Sequence, residues 1–362
     1  MEKKSVTELF FGLLKIAVGA EYKFPSDVSA DIWQQIFDIS QKQTLTGIVY
    51  MAIEKLPQEK RPPKELLLKW HITCEYIKKR NLQLDAAAAR ISQKFKEEGF
   101  RNAILKGQGI AQLYPRPEYR ISGDIDIWLE GDRKEILGYV RKFVPDCKPQ
   151  YHHVDFPVLK EVEIEVHFTP SFLNNFVTNR LMQRFFAQHA DEVFDNTITT
   201  SAGELLHVPT LCFNRIYILQ HIYKHLFDEG IGLRQMLDYY MVLMQGFDEG
   251  ERAATMEILK KLHMKRFAAA VMYVMQQVFA LPADKMLTPA DAVSGELLLR
   301  EIMIAGNFGK FDERSNNMHS SNALLQSIGK VTKNLRFITL YPSEVLASPF
   351  FRLWHHLWRR TL

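Results

Sequence analysis

The sequence predicts an α+β fold in which a small mixed β-sheet lies between two helical regions. Apolar residues recur at helical spacing over residues 1–100 and again over residues 206–362. Residues 101–205 instead alternate short strand-like runs with helical stretches. A chain of 362 residues with 47% hydrophobic content can build a large core and more than one domain. We therefore expect an N-terminal helical region at 1–100, a central domain at 101–205 and a C-terminal helical domain at 206–362.

The composition of the chain argues against several classes of protein, namely general nucleic-acid binders, disulfide or zinc proteins and membrane-spanning proteins. Lys and Arg number 46 against 42 Asp and Glu, so the net charge of +4 gives no strong general attraction to nucleic acid. The three scattered cysteines, Cys74, Cys147 and Cys212, favour reduced thiols in a cytoplasmic protein over a disulfide framework or a zinc site. No apolar run reaches membrane-spanning length. The N-terminal apolar run is broken by Lys15, which indicates an amphipathic helix and not a signal peptide.

The outer regions contain recognisable helix boundaries. We expect Ser26 to cap the second helix, and a long helix to run from 64 to 98 after Pro62-Pro63. After the central domain, helical patterns are predicted from 209 to 227 and again from Leu233, on either side of a glycine-rich break.

The central domain is predicted to contain four strands and two helices. The last two strands are expected to pair as an antiparallel hairpin. The expected strands are 102–106, 123–129, 151–157 and 160–168, and the expected helices are 108–114 and 132–143.

Two aspartates stand two residues apart on the second expected strand. Side chains two apart on a strand share a face, so Asp124 and Asp126 project together while Ile125, Ile127 and Leu129 face a core. Such a pair repels without a cation, and hard divalent metals accept carboxylate oxygens. We therefore expect Mg²⁺ or Mn²⁺ here. Without metal, replacing Asp126 with Asn should leave stability unchanged or slightly higher.

A glycine-containing turn precedes this strand. Lys106-Gly107-Gln108-Gly109 lies between a strand and a helix, where backbone N–H groups form an anion site. Lys106 and Arg120 are further candidates for binding phosphate charge. A phosphate-binding turn close to paired carboxylates favours a nucleoside triphosphate with magnesium as ligand.

A third carboxylate is expected on the last strand. Strand alternation places Glu161, Glu163, Glu165 and His167 on one face, and alternation alone does not choose among the three glutamates.

Residues 103–129 resemble the active-site signature of nucleotidyltransferases with the DNA polymerase β-like fold. The resemblance rests on Leu105-Lys106-Gly107 and on the run from Arg120 through Ser122-Gly123 to Asp126. It extends to two branches, an uncharacterised bacterial nucleotidyltransferase family and the toxin-type nucleotidyltransferases. Gln108 stands where Gly or Ser is usual, which removes a hydroxyl that would contact phosphate.

The resemblance implies a metal-dependent transfer of a nucleoside monophosphate from an NTP, such as ATP, to an acceptor hydroxyl, with release of pyrophosphate. It implies catalytic and metal-binding roles for Asp124 and Asp126, and the Glu-x-His-aromatic ending selects Glu165 as the third carboxylate. Gly107, Gln108, Gly109 and Ser122 would contact the nucleotide together with Lys106 and Arg120.

The helices that follow the central domain resemble the cleft-facing region of the uncharacterised family. The resemblance makes His221, His225, Arg234 and Asp238 candidate substrate contacts, and His167 on the last expected strand is a further candidate. Arg234 and Asp238 could instead simply pair with each other at i, i+4 spacing.

The sequence does not identify the acceptor. A small molecule is the leading expectation, and a tRNA end or a protein side chain would fit a toxin-type enzyme. Gln108 favours an alternative in which the protein binds nucleotide without turnover. In the remaining alternative, the chain is a helical interaction protein and the Asp-x-Asp pair lies on its surface without a function.

Overall fold

The computed structural model describes residues 5–312, 329 and 331–359. The N-terminal part is helical because its capping signals and apolar spacing agree. Ser5 and Glu8 form a reciprocal cap on the first helix. Ser29, and not Ser26 as expected, caps the second helix by accepting from the Ile32 N–H. The helices are α1 Val6–Ala17, α2 Ala30–Lys42, α3 Thr46–Lys55 and α4 Lys64–Glu97.

The central part contains the expected small mixed sheet. Its spatial order is β1-β2-β4-β3, with β2 parallel to β4 and the other neighbours antiparallel. The antiparallel pairing of the last two strands is confirmed, although both are shorter than predicted. The elements are β1 Asn102–Leu105, α5 Gly107–Ala111, β2 Ile125–Leu129, α6 Arg133–Arg141, β3 His153–Asp155 and β4 Ile164–His167.

A second, two-stranded sheet goes beyond the sequence prediction. β5 Thr197–Thr199 and β6 Leu205–His207 pair antiparallel after two helices, α7 Phe176–Gln188 and α8 Ala190–Asp195. Strands of three residues are too short to show a convincing alternation in sequence.

The C-terminal part returns to helix, as expected. Thr210 caps α9, so this helix begins two residues after Pro209. The helices are α9 Leu211–Asp228, α10 Leu233–Met244, α11 Glu249–Lys261, α12 Lys265–Phe279, α13 Ala292–Ala305 and the C-terminal helix Pro342–Trp358. Short 3₁₀ turns occupy Gln58–Lys60, Pro117–Tyr119, Ala283–Lys285 and Asn307–Gly309. Among the described residues, no helix combines the length and apolar character needed to cross a bilayer.

The four-stranded sheet is buried on both faces. Ile125, Ile127 and Leu129 pack into a hydrophobic cluster with α4 and α6, as the alternation predicted. Trp128 lies on the other face, in a larger cluster that includes Leu13 of α1 and residues of α9 and α10. Because this second cluster draws on all three chain segments, the boundaries at 100 and 205 stay a prediction. The face that carries Asp126 is therefore covered by helices.

Candidate active site

Three carboxylates converge where β2 and β4 lie side by side. Asp124 stands immediately before β2, and Asp126 is paired in register with Glu165 of the parallel strand β4. One carboxylate oxygen from each of the three residues lies within 4.8 Å of the others. Glu161 and Glu163 precede β4 and are exposed. Among the three glutamates, only Glu165 belongs to this group.

Asp126 is held by two basic side chains. The carboxylate accepts from Lys106 Nζ at 2.9 Å and contacts His167 Nε2 at 2.9 Å. His167 is almost completely buried and also lies 3.4 Å from Glu165. His167 therefore contacts the carboxylates themselves, and its expected role as a direct substrate contact stays a prediction.

Lys106 sits in an unusual backbone conformation. It directly precedes α5 with φ 52° and ψ −114°, a combination that costs energy for any residue with a Cβ. This conformation ends β1 and directs the chain into α5, while the Lys106 ammonium reaches Asp126. The ion pair between Lys106 and Asp126 offsets the energetic cost of this conformation.

The charges in this group shift each other's pKa values. The negative charge of Asp126, together with burial, raises the pKa of Asp124 to about 6. Burial alone would raise the pKa of Asp126, yet Lys106 and His167 hold it below its usual range. Burial alone would lower the pKa of His167, but the hydrogen-bonding carboxylates of Asp126 and Glu165 raise it to about 9. Lys106 and His167 thus balance the negative charge of Asp126, whereas the charge of Asp124 is less well compensated.

Arg120 forms a buried ion pair across the fold. Its guanidinium donates to both oxygens of Asp238, at 2.7 and 2.8 Å, and Tyr114 donates to the same carboxylate at 2.7 Å. Arg120 also donates to Ser122 at 3.1 Å. The pair connects the segment before β2 to α10, so Arg120 and Asp238 are engaged with each other before any ligand binds.

Arg234 has no carboxylate partner in the described part of the chain. It donates to the backbone oxygen of Ile121 at 3.0 Å, and its Nε atom is buried without a partner among the described residues. The expected pairing with Asp238 does not form, because Asp238 is turned toward Arg120. Burial and the positive charge of nearby Arg120 lower the pKa of Arg234. The surroundings therefore do not fully balance the charge of this guanidinium.

A cavity of about 450 Å³ opens above the carboxylates. Asp124, Asp126 and Glu165 line one side, and α9, α10 and the turn near Phe308 line the other. Its basic side chains are Lys106, Arg120, Lys224, Arg234 and Lys310. This volume and this mixture of acidic and basic walls suit a phosphorylated small molecule.

A second cavity, of about 720 Å³, adjoins the first. Gly123 and Glu165 line both cavities, so the carboxylate group stands between them. Its remaining walls come mainly from the segment between β3 and β4, together with Ser122 and Arg80. Two ligands could therefore approach the same carboxylates from different sides.

A family model described as an uncharacterised nucleotidyltransferase matches residues 29–280. The chain belongs to this family. A search of curated proteins finds no match. Among solved structures, the chain is similar to an antigenic nucleotidyltransferase-like protein from Paracoccidioides brasiliensis. That similarity has 12% identity and a TM-score of 0.35, and it covers 59% of this chain and 96% of the other.

The glycine turn of this nucleotidyltransferase family member is only partly exposed to the cavity. Gly107 lines it, whereas the Gln108 side chain is buried and neither of its amide atoms has a partner among the described residues. A Cβ on Gly109 would lie 3.0 Å from Val208, so Gly109 serves close packing against the residue that follows β6. Ser122 lines the second cavity and not the first.

Both histidines expected on α9 line the first cavity. His221 is partly buried, and desolvation with the nearby Lys106 keeps its pKa well below its ordinary value. His225 lies 3.4 Å from Glu229. Both are placed to contact a bound ligand as neutral imidazoles.

Several cavity residues escaped the sequence interpretation. His152, His153, Lys224, Gln235, Phe308 and Lys310 line the first cavity, and Tyr114 supports Asp238. The adjacent pair His152-His153 at the start of β3 was the one visible signal, because imidazoles serve as acid–base groups and metal ligands near neutral pH.

Proposed function

We propose that this protein is a metal-dependent nucleotidyltransferase that moves an NMP group from an NTP to an acceptor hydroxyl. The observation that carries the proposal is the convergence of Asp124, Asp126 and Glu165 beside a cavity that is also lined by Arg234. The acceptor oxygen would form a bond to the α-phosphorus, the bond to the bridging oxygen would break, and pyrophosphate would leave. Free cysteines at Cys74, Cys147 and Cys212 support a cytoplasmic location.

The donor set fits a hard divalent cation. Three carboxylate oxygens lie within 4.8 Å of one another, and the raised pKa of Asp124 shows that its negative charge lacks compensation. Asp124, Asp126 and Glu165 would hold Mg²⁺ or Mn²⁺. Such ions neutralise the developing phosphate charge and activate an attacking oxygen.

The chain's own residues divide the remaining tasks. Arg234 would bind triphosphate oxygens, and Lys106 would supply a second positive charge once metal displaces it from Asp126. Glu165 lines both cavities, so it is our candidate for accepting the hydroxyl proton. Contact with His167 outweighs burial and lowers the Glu165 pKa, which keeps this carboxylate deprotonated at neutral pH.

The second cavity is our candidate for the acceptor site. Its volume of about 720 Å³ lies in the range of small-molecule sites, which favours a metabolite over a tRNA or a protein. Gln108 supports the alternative of a nucleotide-binding module without turnover, because a buried glutamine side chain offers no hydroxyl to phosphate.

Pyrophosphate release tests the proposal directly. The purified protein is incubated with Mg²⁺, each NTP in turn and pooled metabolites, with Asp124→Asn as the inactive control. Release by the wild type alone supports the transferase. NTP binding seen by thermal shift without release supports the binding module. The absence of both effects would reject nucleotide chemistry altogether.

Magnesium is expected to bind weakly without nucleotide. A few carboxylates satisfy only part of the Mg²⁺ coordination shell, and substrate phosphates supply the rest. Saturating NTP should therefore tighten Mg²⁺ binding about tenfold or more, which corresponds to about 1.4 kcal/mol. Isothermal titration with and without a non-hydrolysable NTP measures this difference. Equal affinity in both titrations would contradict a shared metal–nucleotide site.

Arg234→Gln is expected to weaken NTP binding by about 10- to 100-fold, because a hydrogen bond to a charged group contributes about 1.5–3 kcal/mol. Fluorescence titration with a labelled NTP measures the change. Arg90→Gln removes an exposed arginine that lines neither cavity and serves as the matched control. An unchanged Kd in Arg234→Gln would place the triphosphate elsewhere.

A further inference from the structure

A second group of ligand atoms lies beside the three carboxylates. His153 of β3 is paired in register with His167 of β4, and Glu165 precedes His167 by two residues on the same face. One potential ligand atom from each of the three residues lies within 4.8 Å of the others. Two imidazoles and one carboxylate are thus brought together by strand pairing.

The separations within this group match a tetrahedral metal shell. Glu165 Oε2 lies 3.4 Å from His153 Nδ1 and 3.4 Å from His167 Nε2. Charge-assisted hydrogen bonds are shorter, at about 2.7–2.9 Å. Ligands bound tetrahedrally at about 2.0–2.1 Å from Zn²⁺ lie about 3.3 Å from one another. The two 3.4 Å separations are thus close to the ligand spacing of a tetrahedral Zn²⁺ site. In this structure the same two nitrogens also contact other side chains, His167 Nε2 with Asp126 at 2.9 Å and His153 Nδ1 with His152 at 3.2 Å.

The surroundings of the group fit the same interpretation. The second ring nitrogen of His153 faces the exposed carboxylate of Asp155 at 3.8 Å, which is longer than a hydrogen bond. A bound ion would replace the proton that His167 Nε2 shares with the Asp126 carboxylate, 2.9 Å away. His153 and Glu165 also line the first cavity, which gives an ion a path of entry.

We propose that His153, Glu165 and His167 form a binding site for a divalent transition-metal ion of the Zn²⁺ or Co²⁺ type. Imidazole ligands favour such ions, whereas Mg²⁺ prefers oxygen ligands alone. The site shares Glu165 with the proposed nucleotide centre. It requires neither nucleotide nor transfer activity, so it stands independently of the proposed function.

Cobalt binding tests the site. Untagged protein is freed of metal with a chelator and titrated with Co²⁺ in the absence of nucleotide, with visible absorption and elemental analysis as readouts. We expect one ion per chain, a tetrahedral absorption band, and binding far tighter than that of Mg²⁺. His153→Ala should weaken Co²⁺ binding by about 100-fold or more, and Glu165→Gln by about tenfold or more.

The control variants distinguish this site from a general affinity of the cavity histidines for metal ions. His225→Ala removes another histidine of the same cavity that is not in the group, and it should leave the Co²⁺ affinity unchanged. Glu165 belongs to the group and is partly exposed, so Glu165→Gln gives a readout even if His153→Ala fails to fold. Wild-type protein that binds Co²⁺ no tighter than Mg²⁺, or an unchanged affinity in both group variants, would overturn the proposal. Mg²⁺-dependent NTP binding could persist in either case.

Discussion

Asp126→Asn is expected to abolish Mg²⁺-dependent NTP binding and to lower the free energy of unfolding by about 3 kcal/mol, because it leaves a buried cation without its partner. The buried partners are Lys106 and His167, each 2.9 Å from the lost carboxylate oxygen. Any transfer rate should fall by about 10²- to 10³-fold or more, the loss typical of removing one electrostatic group from a catalytic site. Urea denaturation and pyrophosphate release measure the two effects.

Asp124→Asn is the matched variant with the opposite effect on stability. The folded-state pKa of Asp124 is raised to about 6, above its unfolded value. A raised carboxylate pKa costs stability once pH exceeds the unfolded pKa, and the full cost is present above pH 6. Removing the charge should therefore stabilise the protein at pH 7.5 by up to roughly 3 kcal/mol. This gain should disappear below about pH 4, where both states are protonated.

The two aspartate variants together separate catalysis from stability. Both should lose activity, yet their stabilities should move in opposite directions at pH 7.5. If Asp126→Asn instead kept both its stability and its response to NTP, Asp126 would be an ordinary surface charge. If Asp124→Asn retained full transfer activity, the metal would have to lie elsewhere.

Arg120→Met is expected to destabilise the fold by about 3–5 kcal/mol, since Asp238 is left buried and charged. Arg120 is only 3% exposed and binds both carboxylate oxygens of Asp238. The double variant Arg120→Met/Asp238→Asn should cost less than the sum of the two single changes. Chemical denaturation of the three variants measures this coupling.

The surface pair of Glu75 and Lys78 provides the control for this cycle. Glu75 is half-exposed and lies 2.6 Å from Lys78 within one helix. Glu75→Gln should leave the free energy of unfolding nearly unchanged, because water screens an exposed ion pair. If Arg120→Met cost no more stability than Glu75→Gln, the buried ion pair would contribute no more than a solvent-exposed pair.

The parts of the site that lie close together in sequence could be predicted from it. Strand alternation places Asp124 beside Asp126, and the family resemblance selects Glu165. Contacts between distant segments could not be predicted in this way. Arg120 and Asp238 lie 118 residues apart, and local spacing instead suggests that Asp238 pairs with Arg234.

The energetic role of Asp126 on β2 illustrates the same limit. Sequence alone suggests that removing the charge of Asp126 is neutral or favourable, because it shows two adjacent carboxylates. The structure adds Lys106 and His167, and these contacts reverse the expected sign. A side chain's pKa and energetic role depend on neighbours that only the folded chain brings together.

The two-sided burial of the central sheet affects how such a protein can be divided or recombined. Trp128 packs with residues of α1, α9 and α10, and the opposite face packs on α4 and α6. A gene fragment encoding residues 101–205 would expose both apolar faces of its sheet. The smallest fragment that preserves the carboxylate group therefore includes helices from both ends of the chain. Gene fusion or truncation is best tolerated outside that fragment.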